Sequence, residues 1–343
     1  ERLAVDGRAQ TPRTLKDVSV SANLSLITVS RALRKPETVR VETRAKVQEA
    51  IKKVGYLPNL TARSLVSSRS NMVGLVVPFL RSSLFADLAE GLTEVLTRHD
   101  RQLLLGVSNR AIEQEYSAVR TFLGRQADAI VVTGFTHSEA CQNMLYNFHG
   151  PVVETWNLKP EAIDLAVGFD NKRAAMEMTR YLISKGHRSI AVVGGDFDNN
   201  DQAADRYAGF VEVMREEGLM VPPEHVIEIP NPTTVQSGRD ALLKLMSAAE
   251  KPTAIFFHAE LPAHGAIMAC LSEGIRVPED IAIAGFGDLS LSEMLPVPLT
   301  TVKVDAVGIG RRTGALIIDR LDDKMEEEPL VDVGFELMVR DSA

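Results

Sequence analysis

The spacing of apolar residues changes once along this chain, at Met72, and that change limits it to two architectures joined end to end. Before Met72, apolar positions recur only at helical spacing. After it, short apolar runs of strand length alternate with helical stretches. In the first part Leu15, Val18, Ala22, Val29 and Leu33 fall on helical faces on either side of a break at Asn23-Leu24-Ser25. Asn tolerates the left-handed backbone that a tight helix–helix turn needs, so Asn23 can stand where glycine usually does. Ser25 sits where its hydroxyl would cap the second helix, with polar Thr28 and Ser30 following. A third helix is expected over Val41–Val54, with Val47, Ala50, Ile51 and Val54 on one face and Gly55 as its left-handed end. Pro58 and Asn59 then restart the chain into a weakly apolar segment, 60–67, too short to be a stable helix alone. A serine-rich linker, 67–71, follows.

From Met72 the expected strands are 73–77, 103–107, 129–132 and 152–154, separated by helices over 85–98, 113–123 and 139–147. A second series starts at 165–169 and continues through strands 190–193, 226–229, 254–257 and 281–284. Helices over 174–185, 205–217, 236–249 and 263–273 separate them. Alternation over this length means doubly wound parallel sheets, and two series mean two lobes. Such sheets bind ligands at the carboxyl ends of their strands, so a two-lobed body should hold one in the cleft between lobes.

The formal net charge of −8 hides a division. Residues 11–70 carry twelve Lys/Arg against four acids, or +8, while residues 71–343 carry 24 bases against 40 acids, or −16. A compact basic unit on an acidic body has the electrostatic footprint of a nucleic-acid-binding head, because neutralising phosphates releases counterions. The acidic body would confine contact to that head. At 343 residues the chain exceeds what one core supports. Cys141 and Cys270 form neither a disulfide framework nor a metal pattern. No apolar run approaches the ~20 residues of a membrane span, and the polar start does not read as a signal peptide, so a cytoplasmic protein is expected. No phosphate loop, Gly-x-Ser-x-Gly elbow or metal-ligand cluster is present, so neither enzyme activity nor a cofactor is expected.

With these residues in view, the chain resembles the lactose/galactose repressor family (LacI/GalR) over nearly all its length. The head carries Thr14-Leu15-Lys16-Asp17-Val18, Thr28-Val29-Ser30-Arg31 and Gly55-Tyr56-Leu57-Pro58-Asn59. The body carries Val73-Gly74-Leu75-Val76-Val77-Pro78, Gly168-Phe169-Asp170-Asn171, Gly186-His187-Arg188 and Arg206-Tyr207-Ala208-Gly209-Phe210. Val277-Pro278-Glu279-Asp280-Ile281 and Leu299-Thr300-Thr301-Val302 follow in order. The resemblance implies a small all-α helix-turn-helix head joined by a hinge helix to a two-lobed α/β body of the periplasmic-binding-protein kind. It divides the chain into an arm (1–12), a head (13–58), a hinge and linker (59–70) and a body (71–343). Within the body, 71–167 with 300–327 would form one lobe, and 168–298 with 330–343 the other.

Carried over position by position, Leu26 and Ile27 begin the recognition helix and face base edges, with Arg31 reaching DNA from its far side. Apolar contact with a thymine methyl suits the first two, although one of them could instead belong to the head's core. Thr14, Ser25 and Thr28 would meet phosphates. Asn59, Ala62 and Leu65 fall on the hinge, where Leu65 would wedge into the minor groove or else dock on the body as a linker leucine. The resemblance further implies a homodimer on a near-palindromic operator and a small-molecule effector. The tail has no leucine heptads, so a dimer is expected rather than a tethered tetramer.

By the same likeness Phe79, Trp156, Phe169, Asp170, Arg206, Glu260 and Phe286 would line the effector cleft. Arg206 can fork onto a carboxylate or a diol. Asp170 could cap a helix as readily as touch ligand, and Trp156 could stack on a sugar or simply wall the lobe border. His258 and His264 read as helix packing. The chain departs from sugar-binding relatives in two places. His258-Ala259-Glu260 stands where many carry Asn-Asp, and Gly287 follows Phe286 where an acid is common. Losing that carboxylate beside Arg206 favours an anionic ligand. The stretches 163–171 and 282–286 look most like gluconate-type repressors, so a sugar acid such as gluconate or a ketogluconate is the expected effector. A neutral sugar, a purine or a corepressor remains open at this point, as do, more remotely, a solute-binding protein and a sugar-acid enzyme.

Overall fold

The computed structural model describes residues 13–56, 70–229, 233–324 and 329–343. The chain divides into two compact units, with the boundary between Ser70 and Asn71. The arm 1–12 and the hinge segment, with Asn59, Ala62 and Leu65, lie outside the described residues.

The first unit consists of helices α1 (Leu15–Ala22), α2 (Leu26–Arg34) and α3 (Val41–Val54), with a 3-10 turn at Pro36–Thr38. Asn23 takes the left-handed conformation (φ 52°), and its N–H closes onto the carbonyls of Ser19 and Val20. Ser25 Oγ accepts from the Thr28 N–H at 3.1 Å, capping α2. Gly55, also left-handed (φ 69°), ends α3. Val18, Val29, Ala32, Val47 and Ala50 are buried where the three helices meet. Small and β-branched side chains at the crossings let short helices approach closely enough to share so small a core.

The second unit contains two six-stranded sheets. The first is built from β1 (Met72–Val77), β2 (Gln102–Val107), β3 (Ala129–Thr133), β4 (Val152–Thr155), β5 (Leu165–Gly168) and β11 (Leu330–Asp332), in the order 11-5-4-3-1-2. The second is built from β6 (Ile190–Gly194), β7 (Val226–Glu228), β8 (Ala254–Phe257), β9 (Ala282–Gly287), β10 (Thr300–Lys303) and β12 (Glu336–Met338), in the order 12-10-9-8-6-7. The two orders match strand for strand, and every pairing is parallel except β10 with β12. The crossover helices are α4 (Ser83–Arg98), α5 (Ile112–Gly124), α6 (Glu139–Tyr146), α7 (Asn171–Ser184), α8 (Asp201–Glu216), α9 (Val235–Met246), α10 (Glu260–Glu273) and α11 (Ala306–Leu321). The central strands are buried along their length, apart from the half-buried Thr133 at the end of β3, as strands covered by helices on both faces must be.

Three expectations are corrected. The strand at 165–168 opens no second series; it pairs with β4 and finishes the first sheet. Thr300–Lys303 does not return to the first lobe, because its backbone pairs with β9 and β12 in the second sheet. Of that stretch it is α11 that returns, packing on α4, where Gly91 and Gly310 let the backbones meet: a Cβ on either would lie near 2 Å from a carbonyl oxygen. The run 331–339 is two short strands in different sheets, β11 beside β5 and β12 beside β10, so the tail stitches both lobes. Helices α8 and α10 also begin earlier than expected. Asn200 caps α8 through its side chain, and Pro262 is tolerated in the first turn of α10, where its missing N–H has no helical partner to lose.

Candidate functional site

The head presents one face of unusual chemistry. Leu26 is 49% exposed and Ile27 71% exposed, and neither joins the head's core. With Ser30, Arg31 and Lys35 they line a shallow groove on the start of α2. An exposed isoleucine and leucine side by side on a small unit are costly in water and indicate a surface with a partner. The neighbouring hydroxyls are locally engaged. Thr14 donates its N–H and its hydroxyl to Asp17 at 2.8 and 2.9 Å, holding that carboxyl below its usual pKa. The Ser25 and Thr28 hydroxyls bond each other at 2.8 Å. Both apolar residues at the helix start therefore face outward, and the head's core needs neither.

The second site lies between the two sheets of the body. Residues at or shortly beyond the carboxyl ends of strands in both sheets surround a cavity of about 100 Å³: Phe79 after β1, Arg110 after β2, Trp156 after β4, His258 after β8 and Phe286 near the end of β9. Arg206, from the second turn of α8, completes the wall. Its Nε donates to Asn171 Oδ1 and its Nη1 to the His258 carbonyl, both at 2.7 Å. The guanidinium lies 3.8 Å from the centre of the Phe286 ring. Burial, and then the neighbouring Arg110, pull its pKa down to about 9, against the carboxylates of Asp201 and Asp205. It stays charged at neutral pH, but its charge is poorly compensated.

Several buried polar atoms in this wall have no partner. Among the described residues, Trp156 Nε1, Gln202 Nε2 and both ring nitrogens of His258 make no hydrogen bond, although each residue is only 3% exposed. Such orphans are rare in folded proteins and cost free energy unless something meets them. Burial and the charge of Arg206 keep His258 neutral, well below its ordinary pKa. Glu260, at the start of α10, accepts from Ser292 Oγ and from Thr301 Oγ1 at 2.7 Å. Burial raises its pKa to about 7.

The residues expected here divide into two groups. Phe79, Trp156, Arg206, Glu260 and Phe286 line the cavity. Phe169 does not; it is fully buried behind the wall, between the rings of Trp156 and Phe286. Asp170 caps α7 by accepting from the Arg173 N–H at 2.8 Å, and it does not line the cavity. The neighbouring Asn171 does more for the site, anchoring Arg206 and donating to the Trp156 carbonyl at 2.7 Å. His258 was expected to be packing and instead faces the cavity, whereas His264 bonds Ser292 at 2.8 Å. Gly287 lines the cavity at φ 137°, and the acid that follows it, Asp288, turns to Arg340 at 2.7 Å. The missing carboxylate is thus real at Gly287, yet Asp201, Asp205 and Glu260 still surround Arg206 and its cavity. Asn157 bonds both aspartates, at 2.8 and 2.6 Å, and Lys159 pairs with Asp205. Arg110 and Gln202 carry no sequence motif; only their position beyond a strand end or at a helix start marks them.

Among the described residues, no three His, Cys, Asp or Glu side chains form a metal site, and no helix is long and apolar enough to cross a membrane.

Residues 14–59 match "Bacterial regulatory proteins, lacI family", and residues 179–343 match "Periplasmic binding protein-like domain". The chain is 30% identical to the HTH-type transcriptional regulator GntR of Pseudomonas aeruginosa, over 96% of this chain and 95% of that protein. It is also 30% identical to the HTH-type transcriptional repressor CytR of Escherichia coli K12, over 92% of this chain and 91% of that one. A LacI-family transcriptional regulator from Silicibacter pomeroyi has the same fold, with a TM-score of 0.90 at 30% identity, over 96% of this chain and 99% of that one.

Proposed function

Because this chain belongs to the LacI family of DNA-binding transcriptional regulators, we propose that it is a repressor released from its operator by a sugar acid of the gluconate or ketogluconate type. The observation that carries the choice of ligand is the excess of donors in the cavity. Trp156 Nε1 and Gln202 Nε2 are unpartnered N–H donors, Arg110 and Arg206 add two guanidiniums, and Glu260, with a pKa raised to about 7, is a weak counter-charge. An acceptor-rich carboxylate answers such a set better than a neutral sugar, whose hydroxyls need acceptors as well. Phe79, Trp156 and Phe286 would hold the carbon chain, and Glu260 would accept from a hydroxyl. Phe169 and Asp170 support the wall from behind.

In this reading two copies place their heads on the half-sites of a near-palindrome. Leu26 and Ile27 read base edges, with thymine methyls the natural partners of their exposed faces, and Arg31 adds a polar contact. Thr14, Ser25 and Thr28 turn from their local bonds to phosphates. Asn59, Ala62 and Leu65 belong to a hinge that orders on DNA, with Leu65 wedged into the minor groove. The effector binds more tightly to the arrangement of lobes that does not support the hinge, and that difference in affinity is all the switch requires.

The test is a thermal shift screen of the full chain against neutral sugars, sugar acids, sugar phosphates and purines. A ligand at ~100 times its Kd adds about 2.7 kcal/mol of stability. A shift selective for gluconate or a ketogluconate is expected. A selective shift by a neutral sugar or a purine discards this effector and leaves the regulator.

A further inference from the structure

Arg206 is gripped from several sides; Arg110 is not. Arg110 reaches the same cavity from the opposite wall, on the loop between β2 and α5. Both Asn109 (φ 49°) and Arg110 (φ 56°) take the left-handed conformation, which arginine rarely adopts and which is found where the surrounding structure enforces it. The guanidinium offers five N–H donors, yet among the described residues a single hydrogen bond, at 3.3 Å to Gln202 Oε1, uses them. It lies 5.5 Å from the centre of the Phe79 ring and, among the described residues, forms no ion pair. Burial draws its pKa down to about 10, and Asp201 and Asp196 compensate only from a distance. The residue also borders a second, polar pocket of about 30 Å³ beside Glu115 and Asp201. A strained loop that holds an under-bonded cation in a cleft does little for folding; an anion from outside would complete it.

We infer that Arg110 is the first-lobe arm of a two-arginine clamp in which the effector's carboxylate is held between Arg110 and Arg206. This rests on the sugar-acid reading above and gives it a mechanism. Arg110 stands on the first sheet and Arg206 on a helix of the second, so a carboxylate bonded to both links the lobes. A ligand gripped by one arm occupies the cavity without favouring either lobe arrangement, whereas one gripped by both biases the switch. Arg110 also sets the preference for acids over the corresponding neutral sugars, because it is the cation with donors to spare.

The experiment compares the full chain with its Arg110→Gln and Arg110→Lys variants. Each is melted without ligand and then titrated with D-gluconate, 2-ketogluconate and inorganic sulfate, an anion without hydroxyls. Arg110→Gln is expected to melt at or above the parent temperature, since a poorly compensated buried charge is removed. Its affinity for the acid should fall at least thirtyfold, and Arg110→Lys should recover part of that loss. An acid affinity within threefold of the parent overturns the clamp. So does a ligand-free melting point lowered by several degrees together with no recovery in Arg110→Lys, which would make the arginine a part of the fold. Should neither acid shift the parent protein, the sugar-acid reading fails, and sulfate decides the clamp alone. Protection of the parent but not of Arg110→Gln supports it; equal responses in both overturn it.

Discussion

The head and the cleft invert each other's chemistry. On the head, hydroxyls are bonded locally while Leu26 and Ile27 stand in water. In the cleft, aromatic rings are packed edge and face while Trp156 Nε1, Gln202 Nε2 and the His258 nitrogens lack partners. Each surface leaves unsatisfied what its partner would satisfy: apolar contact on the head, hydrogen bonds and charge in the cleft. Elsewhere in the body, among the described residues, buried unpartnered side-chain atoms are isolated (His225 Nδ1 and Thr313 Oγ1) rather than clustered, and most buried polar groups are complete. His137 lies between Glu115 (2.6 Å) and Glu154 (3.3 Å), and the Ile163 N–H bonds the far oxygen of Glu154 at 2.6 Å. The lesson is that unsatisfied groups gathered in one place, rather than polar or apolar groups as such, mark where this molecule meets something else.

The largest expected effect breaks the cleft side of this contrast. Arg206→Ala removes a cation bonded to Asn171 and to the His258 carbonyl. Loss of a buried charged contact on this scale should weaken effector binding by about two orders of magnitude. Operator binding by the head should persist, and calorimetric titration beside a gel-shift assay measures the two separately. Unchanged effector affinity removes Arg206 from the site.

His137 sharpens the contrast from the satisfied side. Burial alone would lower its pKa, but the hydrogen bonds to Glu115 and Glu154 together outweigh burial and raise it to about 9. The folded chain therefore keeps a proton that the unfolded chain releases near pH 6.5. The associated stability, on the order of 3 kcal/mol, is full below pH 6.5 and is lost as pH rises through about 9. Urea unfolding of the body between pH 6.5 and 9 should show that decline, and His137→Gln should flatten it. A decline of equal size in the variant assigns it to another group.

Next in size is the head's apolar face. Ile27→Ala and Leu26→Ala should each weaken operator binding roughly tenfold, the scale of one lost base contact. Because both side chains are exposed, the melting point should stay put. A fall in stability without loss of DNA affinity would place them back in the head's core. The smallest effect is at the cap: Ser25→Ala should destabilise the head by about 1 kcal/mol through the lost bond to the Thr28 N–H, read by urea unfolding followed by circular dichroism.

Local chemistry was legible from the residues. The change of period at Met72, the left-handed turn at Asn23, the cap at Ser25 and the stop at Gly55 all act within a few residues of themselves, so spacing and residue type reveal them. Arg206 was legible through a motif. The stitched tail was not, because β11 and β12 are three residues each and separated by three more, and their partners are chosen by tertiary pairing. Arg110, Gln202 and His258 were missed as cavity residues for a related reason. Nothing in Ser108-Asn109-Arg110-Ala111 announces a ligand; what brings its arginine to the cavity is the parallel order of the sheets, which gathers strand ends from residues far apart in sequence.

Trp156 is the chain's single tryptophan and lines the cavity, so its fluorescence is a local reporter of events in the cleft. The most direct measurement is therefore a titration of the full chain with gluconate, 2-ketogluconate, glucose and a purine base, following that emission. A saturable change with a sugar acid, absent with glucose and the purine at the same concentrations, is the expected result. A saturable change with glucose or the purine, and none with either acid, contradicts an anion-binding cleft.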